Sequence, residues 1–289
     1  MYCSGGDRRK LKRLYITDLD GTLLSSEGEV SAKTADILNS LAAQGVDFTF
    51  ATARSVYSAK PMTSALQISV PCILMNGVSI YDLRSDRYIA NQYIPVSASG
   101  QITEAFRRAD AECFMYRFNE GALTCYYTEI TNRVMRSFAE VRKYKYHKPF
   151  IRCSDFMDAA DDMTVYFTSL EEHDKLLPVK QTVDSTDGVD CAFYEDTYTG
   201  KWLLEVFSAK ASKANGIRFL RERYGFDEVV AFGDNLNDLP MFAQADVKIA
   251  VGNARDEVKA AADHVIGTND EGGVAQWLRD ELKKSRSEF

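Results

Sequence analysis

Two aspartates, Asp18 and Asp20, stand two residues apart directly after the apolar run 14–17. A second acidic pair, Asp234 and Asp238, lies in "GDNLND" after another apolar run. Two carboxylates about 4 Å apart repel by roughly 4 kcal/mol at an effective dielectric near 20. Four of them gathered at one sheet edge would strain a total stability of roughly 5–15 kcal/mol. Protons, a cation or both must relieve that repulsion. Oxygen ligands without nitrogen or sulfur suit a hard cation, and Mg²⁺ is the usual one where a phosphate is also bound. Lys213, in "SKANG", adds positive charge in the first turn of a helix, whose free amides favour an anion. Thr52, closing "DFTFAT", can donate to a phosphoryl oxygen. This combination suits phosphoryl transfer. Two aspartates at i and i+2 can divide the work. One attacks phosphorus as nucleophile. The other gives a proton to the leaving oxygen and then takes one from water.

These residues need a scaffold that brings distant segments together. Residues 1–83 alternate strand and helix signals. A strand at 14–17 precedes a helix capped by Ser31 and stopped by Gly45. A strand at 47–52, a short helix interrupted by Pro61 and a strand at 72–77 follow. The pattern resumes at residue 208. Ser212 caps a helix, 229–234 and 247–252 read as strands, "HVIG" as a last strand and "GGVAQWLRDELKK" as a final helix. Such alternation predicts an α/β fold with a parallel sheet, interrupted by an insertion at 84–207. Within the insertion, "ECFMYRF", "ALTCYYT", "MTVYFTS", "DCAFYED" and "WLLEVF" read as aromatic strands. Helices are expected around 102–109, 131–144 and 171–183, with short turns such as "NEG" joining antiparallel hairpins. Tyr116, Phe118, Tyr126, Tyr127, Tyr166 and Phe167 alternate as core. Open α/β sheets bind ligands beyond the carboxyl ends of their strands. Asp18 and Asp20, Thr52 and Arg54, Asn76 and Gly77, and Asp234, Asn237 and Asp238 all fall at such ends.

Composition narrows the classes. The chain has 289 residues, 45% hydrophobic and 27% charged, as an ordinary globular protein does. Its formal net charge of −7 argues against nucleic acid as a partner. No run approaches the ~20 apolar residues of a membrane span. The basic start "MYCSGGDRRKLKR" lacks an apolar signal-peptide core and reads as a solvated tail. Six scattered cysteines without C-x-x-C spacing read as reduced thiols, which points to a cytoplasmic protein. Neither G-x-G-x-x-G nor a P-loop occurs. His147, His173 and His264 lack metal or triad spacing, and Trp202 and Trp277 read as packing residues.

In order along the chain, "DLDGT", "ATAR", "SKANG" and "GDNLND" resemble the four motifs of the haloacid dehalogenase superfamily. The large insertion resembles the cap of its Cof-type sugar-phosphate phosphatase branch. The resemblance implies a Rossmann-like core, 1–83 with 208–289, and a cap at 84–207 that sets specificity. It makes Asp18 the nucleophile and Asp20 the acid/base. It assigns Mg²⁺ to Asp18, the main-chain carbonyl of Asp20, and Asp234. Thr52 and Lys213 would hold the phosphoryl group, with Asn237 and Asp238 supporting metal and phosphate. Arg54 would point toward the cap and the substrate, and Asn76 would lie near the site. The implied activity is Mg²⁺-dependent hydrolysis of small phosphomonoesters, sugar phosphates foremost, through a phosphoaspartate. A phosphomutase on the same scaffold is an alternative. So is a non-catalytic phosphate-binding or phospho-acceptor module, although such a module needs neither Asp20 nor a large cap. Ala53 departs from the glycine of many relatives, and a small side chain should be tolerated there. Oligomeric state has no signature in the sequence.

Overall fold

A computed structural model describes residues 11–196 and 199–287. Most of the basic N-terminal tail, Cys3 included, lies outside the described residues. β1 (Arg13–Thr17) leads through a π-type turn to α1 (Ala32–Ala42), β2 (Asp47–Phe50), α2 (Val56–Met62) and β3 (Cys72–Leu74). A hairpin follows, β4 (Ser79–Asp82) and β5 (Arg87–Asn91). Next come α3 (Val96–Arg108), β6 (Phe114–Asn119), β7 (Ala122–Tyr127), α4 (Arg133–Glu140) and β8 (Phe150–Arg152). Then α5 (Phe156–Ala159), β9 (Thr164–Glu171), α6 (His173–Asp184), β10 (Val189–Glu195) and β11 (Trp202–Ser208) complete the middle of the chain. The last part holds α7 (Lys213–Tyr224), β12 (Glu228–Gly233), α8 (Leu239–Phe242), β13 (Val247–Ala250), α9 (Asp256–Ala261), β14 (His264–Val265) and α10 (Gly273–Ser287).

The fold is α/β. Five strands run parallel in the order β14-β13-β12-β1-β2. A single parallel bridge, Ala51 to Ile73, attaches β3 beyond β2. β1 is buried along its length except at Arg13, as expected of a strand covered on both faces. The pairing of β1 with β12 joins residues more than 200 positions apart, and this neighbourhood creates the site. Helix starts follow local capping. The Ser31 hydroxyl accepts from Thr34 N at 3.1 Å, and the Ser212 hydroxyl accepts from Asn215 N at 3.0 Å. α7 ends at Gly225 in the left-handed region.

The middle of the chain forms a second sheet, β10-β11-β9-β6-β7-β8. One face, through Met115, Phe167, Leu204 and Val206, packs on Ile102, Phe106, Leu176 and Val179 of α3 and α6. The alternate face, through Phe114, Tyr116, Tyr166 and Phe207, packs on Met135 of α4 and on Met75, Val78 and Ala211. Those last three residues flank the ends of the parallel sheet, so this face is turned toward it.

Several expectations need correction. The strand expected at 72–77 ends at Leu74, because Met75 and Asn76 take left-handed backbone at φ 51° and 53°. β4, β5 and β8 escaped the sequence reading, since "SIYD", "RYIAN" and "FIR" are short and carry too little alternation. β8 also pairs parallel with β7, not as a hairpin. β5 lies within 84–207, yet it pairs with β4, and Tyr88, Ile89 and Ala90 pack on the core of the parallel sheet. Pro61 does not break its helix midway; α2 ends one residue after it.

Two glycines let α7 seat against β3. A Cβ on Gly216 would meet Ile73 Cδ1 at 2.7 Å. One on Gly77, at φ 101°, would meet the Ser212 carbonyl oxygen at 2.1 Å, and backbone cannot yield as a side chain can. Gly77→Ala is therefore expected to cost about 3 kcal/mol in urea denaturation, against about 1 kcal/mol for Gly225→Ala, which has open space around it. Equal midpoints for the two variants would contradict the close approach.

Candidate active site

The site grows from the ends of β1 and β12. Asp18 N donates to Phe232 O at 2.9 Å, so Asp18 prolongs the ladder by one residue. The chain then leaves the strand through the turn at Leu19–Leu23, which needs Gly21 at φ 77°. A Cβ there would meet Asp234 Oδ2 at 2.5 Å. The turn aims Thr22, whose hydroxyl donates to Asp234 Oδ1 at 2.6 Å. Beyond β12, Asn235 and Asp238 form a capping box around a 3₁₀ turn. Asp238 Oδ2 accepts from the amides of Asp234 at 2.9 Å and Asn235 at 3.1 Å.

Lys213, the first residue of α7, closes the cluster from below. Its Nζ donates to Asp18 Oδ1 at 2.5 Å and to Asp238 Oδ1 at 2.6 Å. Asp18, Asp238 and Lys213 are 5%, 0% and 2% exposed, so all three charges sit out of water. One carboxylate oxygen each from Asp18, Asp234 and Asp238 lies within 4.8 Å of the others. Asp238 spends both oxygens on Lys213 and backbone amides. Asp18 Oδ2 and Asp234 Oδ2 have no hydrogen-bond partner among the described residues.

Three carboxylates thus face one ammonium. Burial raises the pKa of Asp18; Lys213 opposes the rise, and Asp238 and Asp234 add to it. Burial pushes Asp234 up to about 6, with Asp238 assisting and the Thr22 hydroxyl opposing. Burial alone would lower Lys213, but its two carboxylate partners outweigh it and hold the ammonium charged. The two free oxygens and the uncompensated charge fit a hard divalent cation.

The remaining expected residues fall as follows. Asp20 does not join the carboxylate cluster, which corrects the expectation that four carboxylates meet. The chain has left the pleat at Leu19, so the i, i+2 rule of a strand no longer places the two aspartates on one face. The half-exposed Asp20 carboxylate instead accepts from Arg54, Nε to Oδ2 at 2.7 Å and Nη2 to Oδ1 at 2.6 Å. Arg54, expected to reach for a substrate, is engaged by Asp20. Thr52 is fully buried, and its hydroxyl oxygen accepts from Arg54 N at 3.1 Å. Asn76 N donates to Thr52 O at 2.9 Å, while Asn76 Oδ1 is buried without a partner. Asn237 is exposed, and its side chain makes no hydrogen bond among the described residues. Its neighbour Asn235 does the capping instead. Sequence reasoning missed Thr22, Asn235 and Asn253, whose amide donates to Gly21 O at 2.7 Å. Each lay inside or beside a motif at a strand's carboxyl end, which was the available signal. His173 packs against Phe193 and Trp202, and Trp277 against Phe232.

A parallel sheet that delivers a buried lysine and oxygen-only ligands to its carboxyl edge, with a large inserted second sheet, defines a class of α/β hydrolases. Residues 15–278 match the haloacid dehalogenase-like hydrolase family, and the chain belongs to it. It is 26% identical over 279 residues to a pyridoxal phosphate phosphatase of Escherichia coli (strain K12), covering 93% of this chain and 98% of that one. It is 26% identical over 281 residues to a 5-amino-6-(5-phospho-D-ribitylamino)uracil phosphatase of Bacillus subtilis (strain 168), covering 90% and 95%. A haloacid dehalogenase-like hydrolase from Bacteroides thetaiotaomicron superposes with a TM-score of 0.77 at 25% identity, covering 94% of this chain and 100% of that one. No helix among the described residues is long and apolar enough to cross a membrane.

Asp234 supplies a stability test. A carboxyl whose folded pKa is raised to about 6 contributes stability that is complete below its unfolded pKa and is lost as pH rises through 6. In chelator, wild-type Tm should therefore fall relative to Asp234→Asn between pH 5 and 7.5. Solvent on the open side of Asp234 limits the gap at pH 7.5 to about 1 kcal/mol, or about 2 °C. Added Mg²⁺ should then stabilise wild type and not the variant. A Tm gap that shrinks with rising pH contradicts this account.

Proposed function

We propose that the protein is a Mg²⁺-dependent phosphatase that hydrolyses small phosphomonoesters, sugar phosphates foremost, through a phosphoaspartate at Asp18. The observation that carries this reading is the Asp18 carboxylate itself: buried, held on Oδ1 by Lys213, and free on Oδ2. Such a carboxylate is oriented for attack and needs no further activation than its charge. The names of relatives aligned along nearly the whole chain, all phosphatases, support the same reaction class.

Asp18 Oδ2 attacks phosphorus and the ester oxygen departs. Lys213 offsets charge on the phosphoryl oxygens. Thr52 has its acceptor lone pair engaged by Arg54 N, which leaves its hydroxyl proton to donate to a phosphoryl oxygen. Asp20, on the open flank of the site, gives its proton to the leaving oxygen. It then takes a proton from the water that cleaves the phosphoaspartate, which restores Asp18 and releases phosphate. For this Asp20 must exchange its pairing with Arg54. The incoming phosphate is the competing anion that draws the guanidinium away. Mg²⁺ would be held by Asp18, Asp234 and the main-chain carbonyl of Asp20, and supplies neutralisation of phosphoryl charge. Asp238 supports it indirectly by holding Lys213 and the 234–235 amides. Asn76 and Asn237 border the site. The stretch 84–207, apart from β5, which packs on the core, acts as a cap over the core at 1–83 and 208–289, excluding water and contacting the leaving group.

Asp18→Asn should keep its far-ultraviolet circular dichroism and lose phosphate release at least 10³-fold. Asp20→Asn should lower kcat by about 10²–10⁴-fold, most for esters with poor leaving groups. The measurement is phosphate release with Mg²⁺ across sugar phosphates, nucleotides and pyridoxal phosphate. Near-wild-type release by Asp18→Asn sinks the assignment.

A further inference from the structure

The second-sheet face that packs on Met75, Val78 and Ala211 carries a buried polar island. Strand register sets Tyr116 of β6 opposite Tyr166 of β9, and Tyr166 opposite Phe207 of β11, with Glu205 on the same face. Lys148, 6% exposed, places its ammonium 4.4 Å from the centre of the Tyr116 ring. Its backbone amide donates to Arg142 O at 3.0 Å, which holds the two residues together along the main chain. The Arg142 guanidinium lies over the Phe138 ring, and its Nη1 donates to Phe138 O at 3.2 Å. Neither cation has a carboxylate within ion-pair distance among the described residues. The Tyr166 hydroxyl is buried without a hydrogen-bond partner of good geometry, although the Glu205 carboxyl lies beside it.

Burying cations without counter-charge is unfavourable by several kcal/mol each. Here burial pushes Lys148 down to about 7, and Arg142 adds to the fall. Burial also lowers Arg142, whose charge Glu205 and Tyr116 favour and Arg54 opposes. Arg54 in turn lies within the electrostatic reach of Tyr146, from the same 142–148 segment. Arg54, beside Asp20, and Arg142 thus feel each other's charge, as do Arg142 and Lys148. Packing alone has no use for these charges, since methionine would fill the Lys148 site at no electrostatic penalty.

We infer that Arg142 and Lys148 bind a second anionic group, carboxylate or phosphate, on the leaving portion of the substrate. The preferred esters are then phosphorylated sugar acids or sugar bisphosphates rather than neutral sugar monophosphates. An anion at this position restores the full charge of Lys148 and gives Arg142 a partner in direct contact, beyond the longer-range attraction of Glu205. The inference rests on the phosphatase reading and narrows its substrate class.

The test is kcat/KM on matched pairs: 6-phosphogluconate against glucose 6-phosphate, and fructose 1,6-bisphosphate against fructose 6-phosphate. Wild type should favour the member with the anionic leaving group in at least one pair by tenfold or more, and the favoured pair names the group. In Lys148→Met and in Arg142→Gln that ratio should fall toward one, chiefly through KM of the more anionic member. Lys148→Arg should retain most of it. Lys148→Met fills the same space and serves as the variant most certain to fold. Release from both members without preference, or an equal loss on both in the variants, overturns the inference alone. No release from any ester, a generic aryl phosphate included, overturns the phosphatase reading and the inference with it.

Discussion

Lys213 between Asp18 and Asp238 is the contact on which the site's geometry depends. Its ammonium ties the end of β1, the turn after β12 and the start of α7 into one buried knot. Removing one partner of such a buried pair leaves an uncompensated charge, at about 3–5 kcal/mol. The knot constrains its surroundings accordingly. α7 must begin close against β3, so Gly77 and Gly216 can carry no side chain. Gly21 must turn without a Cβ so that Asp234 can stand beside Asp18. Three negative charges against one positive leave the cluster unbalanced, and that imbalance is the physical reason the site suits a cation.

The same reasoning separates the two aspartates of "DLDGT". Asp18 still obeys the strand and is drawn into the low-dielectric interior. Asp20 belongs to the turn, stays half in water and is held by Arg54. Their surroundings therefore differ as much as their proposed duties. A nucleophile gains from fixed position and charge, whereas a proton donor and acceptor gains from exchangeable partners.

The second sheet is organised by an inequality between its faces. The face against α3 and α6 is apolar and closes on itself. The face against Met75, Val78 and Ala211 mixes aromatic rings with Lys148, Arg142 and Glu205. A purely structural face would not carry that mixture, because each buried charge there opposes folding. The hairpin β4–β5 links the two cores through Tyr88, which packs against both and whose ring meets Tyr81 of β4 and Phe118 of β6.

Much of the architecture was legible in the sequence. Apolar runs at 14–17, 47–50 and 229–232 are long and bounded by turn residues, so the parallel strands could be read directly. Ser31 and Ser212 marked helix starts because capping is local chemistry. β5 and β8 were not legible, since short, polar strands are formed by their neighbours and not by their own pattern. The motifs placed Asp18, Thr52 and Asp234 at strand ends and Lys213 at a helix start, which is a property of spacing along the chain. What only tertiary structure decided is the direction of each side chain. Asp20 turned out to Arg54, Asp238 turned in to Lys213, Asn235 took the capping role beside an exposed Asn237, and Lys148 was buried with no carboxylate within ion-pair distance among the described residues. Residue types and spacing determine which groups can reach a site. Which of them meet depends on where the backbone leaves its strand and on which charges the packed neighbours leave uncompensated.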